Sequence, residues 1–251
     1  MTIQEDLVEI ERYYKVKILL AIESGSRAWG MASENSDFDI RFVYVRPKDE
    51  YLSLDTKPDV IERKFGENEY AGFDFFKFLK LLRNNNPSCI EWLFCPIVYK
   101  NEMKGYEELR TEVSDNFNPL ALYQHYKSMC KENYLKYLKT GDKVTYKKYL
   151  YAMRGLLNAK WVEECKTIPS IAFRPTLVGL EIYKKVPKSI IAKVKDIIEL
   201  KKKGKEEDII QNEVRLDEYI ETFLKDINAG PQSKKKFHTD VIEKILKVNL
   251  E

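Results

Sequence analysis

Gly25-Ser26-Arg27-Ala28-Trp29-Gly30, followed after a short polar segment by Ser36-Asp37-Phe38-Asp39-Ile40-Arg41, decides how this 251-residue chain is read. Upstream, Lys15-Val16-Lys17-Ile18-Leu19-Leu20-Ala21-Ile22 reads as a strand running into a turn at Glu23-Ser24-Gly25-Ser26. Downstream, the run from Asp37 to Val45 alternates and stops before Pro47, which predicts a second strand. Alternate residues of a strand share a face, so Asp37, Asp39 and Arg41 are expected together, with Phe38 and Ile40 turned to the core. Two adjacent carboxylates repel unless a cation lies between them. Hard divalent ions with oxygen ligands, Mg²⁺ foremost, suit such a pair. Where a strand gives way to a helix, a glycine lets backbone N–H groups approach an anion closely, and the Ser26 hydroxyl adds a donor. Neither half is specific alone, since an Asp-x-Asp most often just ends a surface strand. Ten residues between Ser26 and Asp37, with strands on both sides, make the combination specific.

Outward from this stretch, Ile3, Leu7, Ile10 and Tyr14 predict a helix over 3–15. Two β-like runs, Val60–Phe65 and Glu69–Asp74, flank Gly66-Glu67-Asn68 and read as a hairpin. From residue 75 the pattern turns helical: Phe75, Phe78, Leu79 and Leu82 form one stripe, which stops at Asn84-Asn85-Asn86. Asn86 and Pro87 then suit the cap and first position of another helix. Further helices are expected at 119–138, 143–165, 176–184, 188–202, 207–227 and 236–248. The fold class is therefore α+β: an α/β core with a short mixed sheet over 1–115, then an all-helical domain over 116–251. No flexible linker separates the two, so a shared cleft is expected.

Composition narrows the function classes. Hydrophobic residues at 44% can fill a core, while charged residues at 33% demand a hydrated surface. The longest aliphatic run, Ile18–Ile22, is far short of the roughly 20 residues that cross a bilayer, so no membrane partner is expected. The acidic start, Met1 to Asp6, has no apolar run of the secretory type, which predicts a cytoplasmic protein. Forty-three basic against 40 acidic side chains leave a net charge of +3, so any attraction to nucleic acid must come from a local patch. Cys89, Cys95, Cys130 and Cys165 are scattered, without metal-binding spacing, and read as reduced thiols.

The Gly-Ser, spacer, Asp-hydrophobic-Asp-hydrophobic string resembles the signature of the DNA polymerase β-like nucleotidyltransferase superfamily. Its fuller form is similar to the branch of predicted nucleotidyltransferases associated with RNA ligases in RNA repair. The likeness continues in Asn86-Pro87-Ser88-Cys89-Ile90-Glu91-Trp92-Leu93, Cys95-Pro96-Ile97-Val98-Tyr99 and Tyr146-Lys147-Lys148-Tyr149-Leu150-Tyr151, covering about residues 20–175. Ser24 departs from it, since the superfamily usually has a hydrophobic residue there. The resemblance implies a nucleotidyltransferase core that moves a nucleoside monophosphate from an NTP, ATP foremost, to an acceptor hydroxyl, with release of pyrophosphate. It implies that Asp37 and Asp39 bind two Mg²⁺ ions, Mn²⁺ being an acceptable substitute, and that Gly25 and Ser26 hold the β- and γ-phosphates. An RNA 3′ end is the implied acceptor. Adenylylation of a protein and a non-catalytic nucleotide-binding scaffold are the alternatives.

A third carboxylate belongs to the implied set. Asp74, immediately before the helix at Phe75, is the candidate, with an N-cap as its other reading. Glu62 takes the role if the hairpin register differs, and Asp59 and Glu69 stand behind both. Arg41 is read either as a phosphate ligand or as a neutraliser of the carboxylates, and Arg27 either as a triphosphate ligand or as a surface ion pair. On the helix over 143–161, Tyr146, Leu150, Met153, Leu157 and Trp161 form a core stripe. Lys147, Tyr151, Arg154 and Asn158 form a second stripe, read as a nucleotide-binding face or as a plain exposed one. Among 16 tyrosines, Tyr123, Tyr126, Tyr134 and Tyr137 are either core residues or stacking platforms for bases, and His125 among them reads as structural. Leu200-Lys201-Lys202-Lys203-Gly204-Lys205 reads as a helix end and solvated loop.

Overall fold

Thr2 and Glu5 open the chain with a reciprocal cap. The Glu5 N–H donates to Thr2 Oγ1 (3.3 Å) and the Thr2 N–H to Glu5 Oε2 (2.6 Å). In the computed structural model, which describes residues 2–34, 36–141, 143–205, 208–226, 230–232 and 235–250, this cap begins helix α1, Ile3–Tyr14. The chain divides into two units. The first comprises Met1–Ala28, Asp37–Phe117 and Lys235–Glu251; the second comprises Trp29–Ser36 and Asn118–Lys234.

In the first unit, β1 (Lys17–Glu23) leads into a one-turn helix, α2 (Gly25–Ala28), and then into β2 (Asp39–Val45). After the short α3 (Lys48–Tyr51) come β3 (Val60–Phe65), β4 (Asn68–Asp74), α4 (Phe75–Arg83), α5 (Pro87–Leu93) and β5 (Val98–Asn101). The strands form one mixed sheet in the order β3-β4-β2-β1-β5. The pairs are antiparallel except β2 with β4, which run parallel with Asp39 opposite Glu69 and Tyr44 opposite Asp74. Alternation then sorts the faces. Ile40, Phe42 and Tyr44 pack with Leu7 and Ile10 of α1 and with Ile61 and Tyr70. On the other face Phe73 lies against Trp92 (4.5 Å between ring centres), which stacks in turn on Phe78 (6.3 Å). That cover sits at the Val43–Phe73 end of β2 and β4, whereas Asp39 and Arg41 at the other end stay partly exposed.

Helices α6 (Tyr106–Asn116) and, from the end of the chain, α12 (Thr239–Leu250) complete this unit. Helix α12 packs against α4 and α6. Lys244 pairs with Glu108 (2.9 Å), and the Asn249 side chain brackets the Lys104 backbone. Strand β5 and helix α6 are absent from the sequence-based expectations. The first has four residues, and the second is mostly polar with few buried positions.

The second unit is helical throughout its named elements: α7 (Pro119–Asn133), α8 (Tyr146–Cys165), α9 (Phe173–Ile182), α10 (Lys188–Leu200) and α11 (Val214–Lys225). Residues 207 and 227, the ends expected for the α11 helix, lie outside the described residues. The helix expected to run to 138 changes instead into a π-helical turn at Tyr134–Lys139, and a second such turn at Lys201–Lys205 buries Lys201 within the lysine-rich segment. Helix α8 is the axis of this unit, with Tyr149, Ala152, Met153, Leu156, Leu157 and Ala159 fully buried. Tyr123, Tyr126 and Tyr134 are core residues as well. Helix α7 crosses α8 at Gly155, where a Cβ would lie 2.8 Å from the Cys130 nitrogen and 2.9 Å from the Tyr126 oxygen. Both neighbours are backbone and cannot swing away. No described helix is long and apolar enough to cross a membrane.

Two measurements test this packing. Gly155→Val forces α7 off α8, and urea unfolding should register a loss of about 1–3 kcal/mol. The other concerns His238, whose backbone N–H (2.6 Å) and ring Nδ1 (3.1 Å) both contact the nearly buried Glu112. Hydrogen bonding and attraction to Glu112 raise the imidazole pKa above its ordinary 6.5, with Asp240 adding to the effect. A raised folded-state pKa contributes stability that is complete below about pH 6.5 and is lost as pH climbs through the raised value. The melting temperature of the parent should therefore fall across that window, and His238→Asn should flatten the fall.

Candidate active site

Glu23 closes a strand that is apolar from Ile18 to Ile22, and its side chain is turned inward, 1% exposed. It is held on both oxygens. The Asp39 N–H donates to Oε1 (2.9 Å), and the Tyr99 hydroxyl of β5 donates to Oε2. Burial pushes the Glu23 pKa up, while those two donors act against the rise. Its backbone is fixed as well: Glu23 N–H donates to Ile97 O (3.0 Å), Ser24 N–H to Asp39 O (2.7 Å) and Cys95 Sγ to Glu23 O (2.9 Å). Burial raises the Cys95 thiol to about 11, so it serves as a donor here rather than as a nucleophile. The Ser24 bond comes from the backbone, so it ties the turn to the second strand whatever side chain stands there.

This clamp sets the Gly-Ser turn on the Asp-x-Asp. Gly25 has φ +60°, and a Cβ built on it would lie 2.1 Å from Asp39 Oδ2. Only glycine fits, both for the backbone angle and for the space that the Asp39 carboxylate takes. Ser26 follows within α2, whose first amides have no carbonyl one turn earlier to bond. Arg27 reaches back over the same segment: Nε donates to Asp37 O (3.3 Å), and the guanidinium lies 3.7 Å from the centre of the Phe38 ring. Arg41 Nη2 sits 3.7 Å from Asp39 Oδ1. Strand β2 begins at Asp39, so exposed Asp37 stands just outside it rather than within a continuous alternating strand.

Asp74 is elsewhere. It lies opposite Tyr44, five residues along β2 from Asp39 and on the other face, which at roughly 3.3 Å per residue is about 16 Å away. There it caps α4 by accepting the Phe76 N–H (2.9 Å) and also accepts the Tyr51 hydroxyl (2.8 Å). Burial raises its pKa. Asp59 is at that end too, paired with Lys77 (2.9 Å). The carboxylates that share Asp39's face are Glu69, directly in register with it, and Glu62, which is paired with Ala71 opposite Arg41. Arg41, Glu62, Lys64, Glu69 and Ala71 border an open groove of about 430 Å³.

Asp37 and Asp39 supply oxygen donors of the type that suits a hard divalent cation. Among the described residues, however, no three His, Cys, Asp or Glu side chains are gathered into a complete set. In the second unit, Tyr151 and Arg154 of the Lys147–Asn158 stripe meet Trp29. The Tyr151 ring meets Trp29 edge-on at 5.7 Å, and the guanidinium of Arg154, 3% exposed, lies 4.1 Å above it. Asn158 is buried too and Lys147 half-buried, so this is no plain solvent face. His125 sits edge-on to Tyr126 (5.6 Å). Glu23 and Tyr99 are the residues that sequence reasoning missed. The available signal was a lone acid at the inward end of an apolar strand.

A family model described as RNA repair pathway DNA polymerase beta family matches residues 1–247, well past the segment that carries the motifs. The chain is 35% identical over 245 residues to the uncharacterized protein YcgL of Bacillus subtilis (strain 168), covering 96% of this chain and 91% of that one. A crystal structure of a nucleotidyltransferase-like protein from Exiguobacterium sibiricum aligns with a TM-score of 0.31 at 11% identity, over 99% of this chain and 76% of that one.

The geometry around Asp74 generates a paired test. Asp74→Asn keeps the cap on Phe76 N–H but sets an amide NH2 where the Tyr51 hydroxyl now donates, and should cost about 1 kcal/mol in urea unfolding. Asp74→Ala loses both the cap and the acceptor of the Tyr51 hydroxyl and should cost about 2–4 kcal/mol in urea unfolding. Nucleotide transfer should persist in both; its loss in Asp74→Asn would return this residue to the catalytic set.

Proposed function

The chain belongs to the RNA repair pathway DNA polymerase beta family, and from that premise we propose that it is a nucleotidyltransferase that moves a nucleoside monophosphate from an NTP, ATP foremost, to the 3′ hydroxyl of an RNA. One observation carries the reading: Asp39's carboxylate lies in the hollow that Gly25 leaves open, so the phosphate-binding and acidic halves of the motif meet at one point. Gly25 and Ser26 bind the β- and γ-phosphates through backbone N–H groups and the Ser26 hydroxyl. Arg27 and Arg41 add positive charge beside them. Asp37 and Asp39 are the residues that would hold Mg²⁺ or Mn²⁺, whose chemistry is to neutralise charge on the triphosphate as it builds. Lys147, Tyr151 and Arg154 are proposed as further nucleotide contacts.

In the reaction, the acceptor oxygen forms a bond to the α-phosphorus. The bond from that phosphorus to the α,β-bridging oxygen breaks, and pyrophosphate leaves with its electron pair. The acceptor's proton passes to a carboxylate. Glu69, in register with Asp39 and on its face, is the group we assign to it, with Glu62 next in the same groove. Such catalysis is chiefly positioning and electrostatics.

Incubation with α-labelled ATP, Mg²⁺ and RNA oligonucleotides should place label in RNA, where RNase removes it. Label in protein instead would turn the reading to adenylylation. Asp37→Asn and Asp39→Asn should each lower transfer by a factor on the order of 10² or more while the protein stays folded. Glu69→Gln should keep nucleotide binding and lose transfer by a factor on the order of 10². A larger loss in Glu62→Gln would move the proton acceptor to residue 62.

A further inference from the structure

The second unit holds a groove of about 490 Å³ bordered by α7, the Tyr134–Lys139 turn and α11. Its lining includes Lys127, Lys131, Lys139 and Lys225 together with Leu135 and Leu224. We propose that this groove is an RNA-binding surface additional to the Asp37–Asp39 site, taking a single-stranded segment with its phosphates on the lysines and its base and ribose faces against the leucines. The proposal rests on RNA being the acceptor.

Three features support it. First, the one acid in the groove is already engaged: Glu221 accepts from the Tyr134 hydroxyl (3.0 Å) and from Lys139 Nζ (2.9 Å), with Lys225 Nζ at 3.5 Å. Bonding to Lys139 and Tyr134 lowers its pKa to about 2, so it stays ionised and balances one lysine of the four. Second, the ammonium groups are partly arranged in advance. Lys127 Nζ donates to Asp226 O (2.5 Å) and stands 5.4 Å from the centre of the Phe223 ring. Lys139 and Lys225 share Glu221, so less side-chain freedom is lost when an anion binds. Third, part of the lining is apolar. Leu135, on the π-helical turn beside buried Tyr134, is 41% exposed and lines the groove with Leu224. Gln124, Ser128 and Lys131 line up on one face of α7 at helical spacing and add polar groups along the same edge. A free inorganic anion would have no use for the leucines, and an apolar ligand none for the lysines. A single strand of RNA uses both.

The test measures binding of a fluorescein-labelled oligouridylate to the full chain by anisotropy across a salt series. Lys131→Gln/Lys139→Gln/Lys225→Gln should lower affinity about tenfold or more at low salt and flatten the log K against log salt line by about 2, at roughly 0.7 per phosphate contact. Lys202→Gln/Lys203→Gln/Lys205→Gln removes the same charge from exposed positions of this unit outside the groove and should bind like the parent. Melting temperatures check the fold. Lys131→Gln/Lys225→Gln leaves Glu221 its Tyr134 and Lys139 partners and should show the same direction if the triple variant is unstable. Equal binding by the groove variant and the parent, equal loss in the control, or competition by polyglutamate as strong as by RNA would each overturn the proposal. If the parent binds RNA and labels it while the groove variant does the same, only the groove is wrong. If the parent neither binds nor labels RNA, the acceptor reading fails and takes the groove with it.

Discussion

A buried carboxylate with two donors holds the candidate site in shape. Glu23 faces inward at the end of β1, and burying an ionisable side chain is costly unless its oxygens are bonded. Asp39 N–H and the Tyr99 hydroxyl supply those bonds, tying β2 on one side and β5 on the other to the point where β1 turns. Were the register of β1 against β2 to slip by one residue, Glu23 would lose its backbone partner and Asp39 its place beside Gly25. A structural requirement and a functional one are thus met by the same alignment. The protein cannot satisfy its buried acid without also setting the Gly-Ser turn against the Asp-x-Asp.

The sheet explains why one end of β2 is suited to chemistry and the other to stability. At the Val43 end, the aromatic stack of Phe73, Trp92 and Phe78 seals the face. At the Asp39 end, charged residues of β2, β3 and β4 line an open groove. The parallel β2–β4 pair decides which acids belong to which end, so Glu69 shares the charged end while Asp74 anchors α4 at the sealed one.

Much of this was legible beforehand. The four longer strands carry β-type runs with clear stops, α1 and α4 carry helical stripes, and α5 carries its Asn86-Pro87 start signal, because local patterns suffice to form them. The Gly-Ser and Asp-x-Asp halves could be paired from their spacing and the strands predicted on either side. Register could not. Nothing local to Tyr70–Asp74 says whether β4 runs beside β2 in parallel or which of its residues meets Asp39, so the sequence favours Asp74, with Glu62 next and Glu69 behind both. Glu23 escaped notice because its meaning lies in Tyr99, 76 residues away. Arg154 reads in the sequence as a nucleotide contact or as part of an exposed face. Its place over the Trp29 ring, far away along the chain, is not legible locally, and a cation held over an aromatic face is a favourable contact for a buried guanidinium.

The membership of α12 in the first unit has a consequence for biosynthesis. The helices from α7 to α11 lie within one continuous stretch, Asn118–Lys234, and need only the earlier Trp29–Ser36 to be complete. The sheet-bearing unit, although most of it is made first, lacks the cover that α12 lays on α4 and α6 until residues 239–250 have left the ribosome. The unit translated earliest is therefore the last to close, and a nascent chain stalled before residue 239 would display an apolar patch on α4 and α6 for chaperones to bind.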